Sequence, residues 1–304
     1  MKTCIYDTCL CCLDLSDTDK NILNFTSFLK DNKIIGKITF IHVVNSDLEE
    51  MARKYYAESA WEKIKVDLKN EIDSKIDAYF EDKSEINIKI KTGSPLEIIK
   101  NDQKKVKSLT IVGRKAKGKG SGVISDHIAR ASKNDVLFIP TNWNLEFDTA
   151  LTAFDFSEHA ESTFDLVNDI SKQLNSLKLK AIHIISSPSN YFKSGHFHKS
   201  YIDTEKEEIN SKWKSYIKRI KTEAELRLYE NKLNDPAYYI SELSSELINP
   251  IVFIGSKGKT AASTFLLGSV TEKLMAYDLN IPIWIHKLSD ENFDLLDAIF
   301  SNSK

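Results

Sequence analysis

The sequence predicts an α/β protein built from two similar domains, and three observations support this prediction. The chain has 304 residues, about the length of two ordinary domains. Short apolar strands alternate with longer, charged segments of helical period, a pattern typical of βαβ units in a parallel sheet. Landmarks of the first half return in the second half at a nearly constant spacing.

The repeat is defined by matched residues. Asp14 and Asp155 each close an apolar strand and lie 141 positions apart, and the same spacing separates His42 from His183. Gly113 and Gly255 lie 142 apart, and the spacing then changes to 146 in the loop after the fourth strand, as a duplication with one altered loop would produce. We therefore expect two domains, with a boundary in the polar stretch that joins them: 1–145 and 146–304.

Five strands are predicted in each domain. In the first domain they cover 9–14, 38–44, 87–91, 108–113 and 135–139. In the second they cover 149–155, 179–185, 225–229, 250–255 and 281–286. Between them, the segments from Leu48 to Phe80 and from Lys206 to Leu228 have helical period. The fourth strands are apolar throughout, which predicts sheets covered by helices on both faces.

Composition excludes several classes of protein. The net charge is −2, with 42 basic and 44 acidic residues, so no basic field indicates nucleic-acid binding. No apolar run approaches the roughly 20 residues that span a bilayer, and the N-terminus is a poor signal peptide. We expect a cytoplasmic protein that binds neither nucleic acid nor membrane.

Residue types that bind metals occur in two places. All four cysteines lie among the first 12 residues, where they could form a thiol site. Because there is no CxxC pair and no distant cysteine, we favour a buried strand in which Cys acts as a small apolar residue. His196 and His198 have H-x-H spacing but no certain third ligand, so we favour a surface loop. No metal site is predicted.

A glycine-rich loop follows the fourth strand of the second domain. Gly255 ends the strand, Gly258 follows, and Gly268 precedes a new helix. Glycines let backbone N–H groups approach an anion, and a helix N-terminus adds unpaired N–H groups and a positive dipole end. Ser269 and Thr271 could donate hydroxyl hydrogen bonds to phosphate. This pattern predicts a phosphate site.

Two further interpretations apply to the same segment. Ser269 could simply cap the helix, with Glu272 completing a capping box. The letters GKT resemble a Walker A loop, but the first glycine of that motif falls on Phe253 inside the strand, so we reject a P-loop. No catalytic constellation can be placed from spacing, and catalytic residues are predicted to be absent.

The nucleoside end of a ligand would lie where neighbouring strands end. Asp155 closes the first strand of the second domain and Ile184 lies near the end of the second strand. Asp155 could accept a hydrogen bond from adenine or ribose. Alternatively, Asp155 caps the helix that begins near Ser157.

The spacing G-x2-G-x9-G-[ST] resembles the nucleotide-binding signature of the ATP-binding universal stress proteins. The resemblance implies Rossmann-like domains of the adenine nucleotide alpha hydrolase type, each with a five-stranded, mostly parallel sheet. It also implies an intrachain pseudo-dimer through the last strands, and a homodimer of such chains. The residues that it implies for ATP, AMP or ADP binding, with or without Mg²⁺, are Asp155, Ile184, Gly255, Lys257, Gly258, Gly268, Ser269, Val270 and Thr271.

The first domain departs from the signature. Gly113 is present, but Ala116 stands at the second glycine position, and Val123 follows Gly122 where Ser or Thr is expected. We expect a solvated turn here rather than an anion site.

The main functional hypothesis is a stress-response regulator that binds an adenine nucleotide in its second domain and is read by a protein partner. One alternative is a scaffold or small-ligand module that binds no nucleotide. Another is a slow metal-dependent ATPase.

Overall fold

Ten strands form where the sequence predicts them. A computed structural model describes residues 3–56, 58–102, 107–115, 122–143, 146–186, 196–257, 267–277 and 279–288. The first half of the chain contributes β1 (Tyr6–Leu13), β2 (Ile35–Val44), β3 (Ile86–Thr92), β4 (Ser108–Arg114) and β5 (Asp135–Pro140). The second half contributes β6 (Thr149–Ala153), β7 (Lys178–Ile185), β8 (Glu225–Glu230), β9 (Pro250–Gly255) and β10 (Ile283–His286).

Helices connect the strands in both halves. They are α1 (Thr18–Asp31), α2 (Ser46–Tyr56), α3 (Glu58–Asp77), α4 (Pro95–Asp102), α5 (Gly122–Ala131), α6 (Glu158–Leu174), α7 (His196–Ile220), α8 (Pro236–Glu246) and α9 (Ser269–Ala276). The prediction that a helical segment reaches Leu228 is wrong. The helix ends at Ile220, and the chain then continues into β8. Among the described helices, none combines the length and the apolar character needed to cross a bilayer.

The strands form a single sheet in the order β3-β2-β1-β4-β5-β10-β9-β6-β7-β8. Pairing is parallel within each half. The halves meet through β5 and β10, which pair antiparallel, with Ile283 opposite Phe138. This pairing confirms the expected pseudo-dimer through the last strands. It also places the carboxyl ends of the two sets of strands at opposite edges of the sheet.

Apolar residues of both halves form one layer on each face of the sheet. Leu137, Phe253 and Trp284 belong to one layer, and Phe138 and Ile283 to the other. β5 and β9 are buried along their whole lengths, because helices cover both of their faces. Both layers cross the junction between the halves without interruption.

The cysteines lie in or next to β1, as the buried-strand interpretation requires. Cys9 and Cys11 are buried on one face, with their Sγ atoms 3.5 Å apart, and all four cysteines are free thiols. Burial raises the pKa of the Cys9 and Cys12 thiols, which keeps both protonated at neutral pH. These thiols therefore act as small apolar groups.

A polar cluster closes one end of the junction between β5 and β10. The Asp135 carboxylate, 5% exposed, accepts a hydrogen bond from Tyr6 Oη. Its two oxygens also lie 2.8 Å from His286 Nδ1 and from the backbone N of Lys287. Trp284 packs between Tyr6 and Phe253, with ring centroids 5.9 and 5.2 Å away.

Arg114, at the end of β4, reaches across to the second half. Its guanidinium donates to the Met275 carbonyl at 3.1 Å, to the Tyr277 carbonyl and to the Leu279 carbonyl at 3.4 Å. These carbonyls lie at and just beyond the C-terminal end of α9, where helical carbonyls lack intrahelical partners and a cation is favoured. The Arg114 side chain is almost completely buried in this position.

We predict that Arg114→Met lowers the free energy of unfolding by about 3 kcal/mol, since buried carbonyls lose a charged donor. Denaturant unfolding measures this change. The matched control is Lys115→Met, which removes a partly exposed ion pair with Asp14 and should cost under about 1 kcal/mol. Equal losses in the two variants would contradict the assigned role of Arg114.

Candidate functional site

The candidate site lies where the strand order of the second half reverses. From β6, the chain proceeds to β7 on one side and later to β9 on the other, so a crevice opens beyond the carboxyl ends of β6 and β9. Asp155 follows β6, Ile184 is the next-to-last residue of β7, and Gly255 ends β9. The fold therefore brings these three predicted residues to one edge of the sheet.

The start of α9 is fixed against the end of β9 by two hydrogen bonds. Gly268 N–H donates to the Ser256 carbonyl at 2.7 Å. The buried Thr271 hydroxyl donates to the Gly255 carbonyl at 2.8 Å. The helix N-terminus, whose first N–H groups have no partner within the helix, is thereby held at the crevice.

Two predictions about this helix start are wrong. Gly268, not Ser269, is the N-cap, because its carbonyl already accepts from Glu272 N–H at 2.9 Å, and no capping box forms. Glu272 instead pairs with Arg130 of the first half. The Thr271 hydroxyl donates its hydrogen to the Gly255 carbonyl, so it does not donate to phosphate. Ser269 is exposed, and Val270 beside it is partly exposed.

Asp155 is held by a short turn rather than acting as a helix cap. Its Oδ1 accepts from Ser157 N–H at 3.0 Å, whereas the N-cap of α6 is Ser157, which accepts from Ala160 N–H at 3.2 Å. Phe156 between them has a φ of 61°, in the left-handed region. The alternative in which Asp155 caps the helix is therefore incorrect.

Gly255 has a packing role that the sequence did not reveal. A Cβ at this position would lie 3.2 Å from the Lys257 carbonyl oxygen and 3.3 Å from Thr163 Oγ1 of α6. At Gly113, the equivalent position of the first half, a Cβ would lie 2.8 Å from Thr18 Cγ2. In both halves, the first glycine of the loop lets the helix after the first strand pack close to the fourth strand.

Two lysines follow strands that end at the same edge of the sheet. Lys257 follows β9 and is partly buried; Gly258, the next predicted residue, lies outside the described residues. Lys287, which no motif indicated, follows β10, and its Nζ donates to the Ala129 carbonyl at 2.8 Å. Burial, together with the charge of Lys257 and against the opposing effect of Asp135, lowers the pKa of Lys287 to about 8.

The corresponding crevice of the first half contains a cavity of about 140 Å³. Its walls are mainly apolar, and Asp14, Lys115 and Ser125 also line it. Asp14 Oδ2 pairs with Lys115 Nζ at 2.6 Å. Partial burial raises the pKa of Asp14, but hydrogen bonds from Lys115 and Ser16 outweigh that effect and leave it lowered. Asp14, the residue equivalent to Asp155, therefore stays ionised and has its charge compensated by Lys115.

The H-x-H pair lies on a helix. The sequence placed His196 and His198 in a surface loop, but α7 begins at His196. His198 Nε2 lies 2.6 Å from Glu230 Oε1. Within the part of the chain that the structure describes, no three His, Cys, Asp or Glu residues form a group able to hold a metal ion.

Comparison with known proteins identifies the fold. A universal stress protein from Archaeoglobus fulgidus superposes with a TM-score of 0.63 and 19% identity, over 92% of this chain and 98% of its own. A functionally unknown protein from Pseudomonas aeruginosa superposes with a TM-score of 0.66 and 14% identity, over 98% of both chains. No protein-family model and no curated protein matches the sequence. The chain has the α/β fold of a two-domain universal stress protein.

We predict that Lys287 makes the free energy of unfolding increase as the pH rises from about 8 to 10.5. Its pKa in the folded protein, about 8, lies below the ordinary value of 10.5, so between these pH values the unfolded chain binds more protons. Lys287→Met should therefore be more stable than the parent at pH 7, by about 2 kcal/mol, and lose most of that advantage by pH 10. Unfolding in urea at both pH values measures it; a difference independent of pH would contradict the assignment.

Proposed function

We propose that the chain is a cytoplasmic, tandem universal stress protein that binds ATP, ADP or AMP in the domain 146–304. The observation that carries this proposal is the N-terminus of α9, held by two hydrogen bonds at the end of β9 where the strand order reverses. The bound nucleotide acts as a regulatory signal.

The geometry suits a phosphate chain in three ways. The first-turn N–H groups of α9, at Ser269, Val270 and Thr271, can donate to phosphate oxygens and are reinforced by the helix dipole. The exposed Ser269 hydroxyl lies beside them. Lys257 and Lys287 add positive charge at the same edge, which favours a polyanion over a neutral ligand.

The nucleoside is assigned to the neighbouring strand ends. Asp155 follows β6, and Ile184 lies one position before the end of β7. The carboxylate can accept from an amine or hydroxyl of the ligand, and the aliphatic side chain can pack against a ring. Gly258 is assigned to the phosphates, by its place in the loop between Gly255 and Gly268.

The first half supports the site without duplicating it. Lys115 forms an ion pair with the carboxylate of Asp14, and Ala116 stands at the position of the second glycine. Its main contribution is the pairing of β5 with β10, which buries the last strand of the second half. In our proposal the bound nucleotide changes a surface that a protein partner reads.

Equilibrium binding of fluorescently labelled ATP tests the proposed function. The parent should bind saturably, and Gly258→Val should weaken binding by about tenfold or more, since a side chain blocks the approach of the backbone to phosphate. Ala116→Val is the matched control in the first half and should bind like the parent. Absence of saturable binding would favour a scaffold, and Mg²⁺-dependent phosphate release would favour an ATPase.

A second pair of variants separates phosphate binding from structure. Ser269→Ala should weaken ATP binding by about tenfold without changing the melting temperature, because its hydroxyl is exposed. Thr271→Val should instead lower the free energy of unfolding by about 1 kcal/mol, because the buried bond to Gly255 is lost. Calorimetric titration and melting measure both effects. The reverse pattern would overturn the assignment of the two hydroxyls.

A further inference from the structure

A serine, a histidine and an aspartate form a hydrogen-bonded chain across the junction of the two halves. Ser162 Oγ of α6 lies 2.9 Å from His286 Nε2 at the end of β10. His286 Nδ1 lies 2.8 Å from Asp135 Oδ2 at the start of β5. The three residues come from distant parts of the sequence, so spacing could not reveal this arrangement.

The surroundings of Asp135 fix the direction of the hydrogen bonds. Tyr6 Oη donates to Oδ2, and the backbone N–H of Lys287 donates to Oδ1 at 2.8 Å. A carboxylate with these donors accepts the proton of His286 Nδ1. His286 Nε2 then carries a lone pair and accepts the hydrogen of the Ser162 hydroxyl. This is the arrangement in which a histidine acts as a base toward a serine.

The first half makes the equivalent tie between helix and last strand without such a chain. By the spacings of the repeat, Asn21 corresponds to Ser162 and Pro140 to His286. Asn21 Nδ2 donates to the carbonyls of Pro140 and Thr141, at 3.1 and 2.6 Å. A simple amide is therefore enough to join these elements. The Ser–His–Asp chain is an additional feature of the second half.

The geometry points to Ser162 as an activated nucleophile that hydrolyses small carboxylic esters, with His286 as its base and Asp135 as the residue that positions His286. Ser162 is only partly buried, and the His286 side chain is 12% exposed. The Ser162 backbone N–H lies within α6, so it cannot stabilise an oxyanion. We assign the positive charge that the oxyanion needs to Lys257, which lies two positions after Gly255, the register partner of His286.

The reaction has two balanced steps. Ser162 Oγ attacks the ester carbonyl carbon, its proton passes to His286 Nε2, and the departing alkoxide takes that proton and leaves as an alcohol. Water then attacks the acyl-serine and gives a proton to His286, which returns it to Ser162 Oγ as the carboxylic acid is released.

Labelling of the full-length protein with a fluorophosphonate probe tests this inference without any nucleotide. Intact mass and peptide mapping should show one adduct, at Ser162, and p-nitrophenyl acetate should be hydrolysed. Ser162→Ala should abolish both signals, and His286→Gln should slow labelling by about 100-fold or more. Ser171→Ala is the matched control on the same helix, because Ser171 Oγ bonds only the Asn168 carbonyl among the described residues.

Each outcome decides the inference. Absence of an adduct on Ser162 in the parent protein would overturn it, as would labelling that His286→Gln leaves unchanged. Circular dichroism melting establishes that each variant is folded at the assay temperature. If His286→Gln is unfolded there, Asp135→Asn replaces it, and an undiminished labelling rate in that variant would contradict the role of the chain.

Discussion

The antiparallel pairing of β5 with β10 is the interaction on which the rest of the structure depends. Each half alone would leave its last strand as an exposed apolar edge, a known liability of sheet proteins. Joined, the two sets of five strands become one sheet with an apolar layer on each face. The pairing also places the two carboxyl edges on opposite sides. The carboxyl edge of each half therefore borders the start of strands from the other half.

At this border, the first half contributes polar contacts to the second half. At the carboxyl edge of the second half, the first half contributes Tyr6 and Asp135, which hold His286 and the backbone of Lys287. At the opposite edge, Arg114 of the first half reaches the end of α9. The second half therefore receives a rigid polar support that a single domain could not supply. In our proposal, the role of the first half in this support is structural.

Much of the fold follows from local patterns in the sequence. All ten strands were predicted, because alternation of apolar runs with helical segments is a local signal. The end of α7 was misplaced, since the charged period continues past Ile220 into residues that pair with β7. In the site, the glycine spacing located the helix start. Spacing could not show that the Thr271 hydroxyl is used by Gly255, or that Gly268 is the cap.

Other features depend on contacts between distant segments. Lys287 belongs to no motif, and its lowered pKa results from burial at the junction of the halves. The chain of Ser162, His286 and Asp135 joins three elements that meet only when β5 and β10 pair. The packing role of Gly255 likewise depends on the approach of α6. Such features form only in the assembled sheet, whereas the repeat and the strands can be recognised from local sequence patterns.

Native mass spectrometry of the full-length protein, titrated with ATP, tests the central claim most directly. The central claim is that one continuous sheet carries one nucleotide site, in the second half. The account predicts saturation at one adenine nucleotide per chain. Saturation at two would contradict the assigned asymmetry of the halves, and the absence of a bound nucleotide would contradict the site itself.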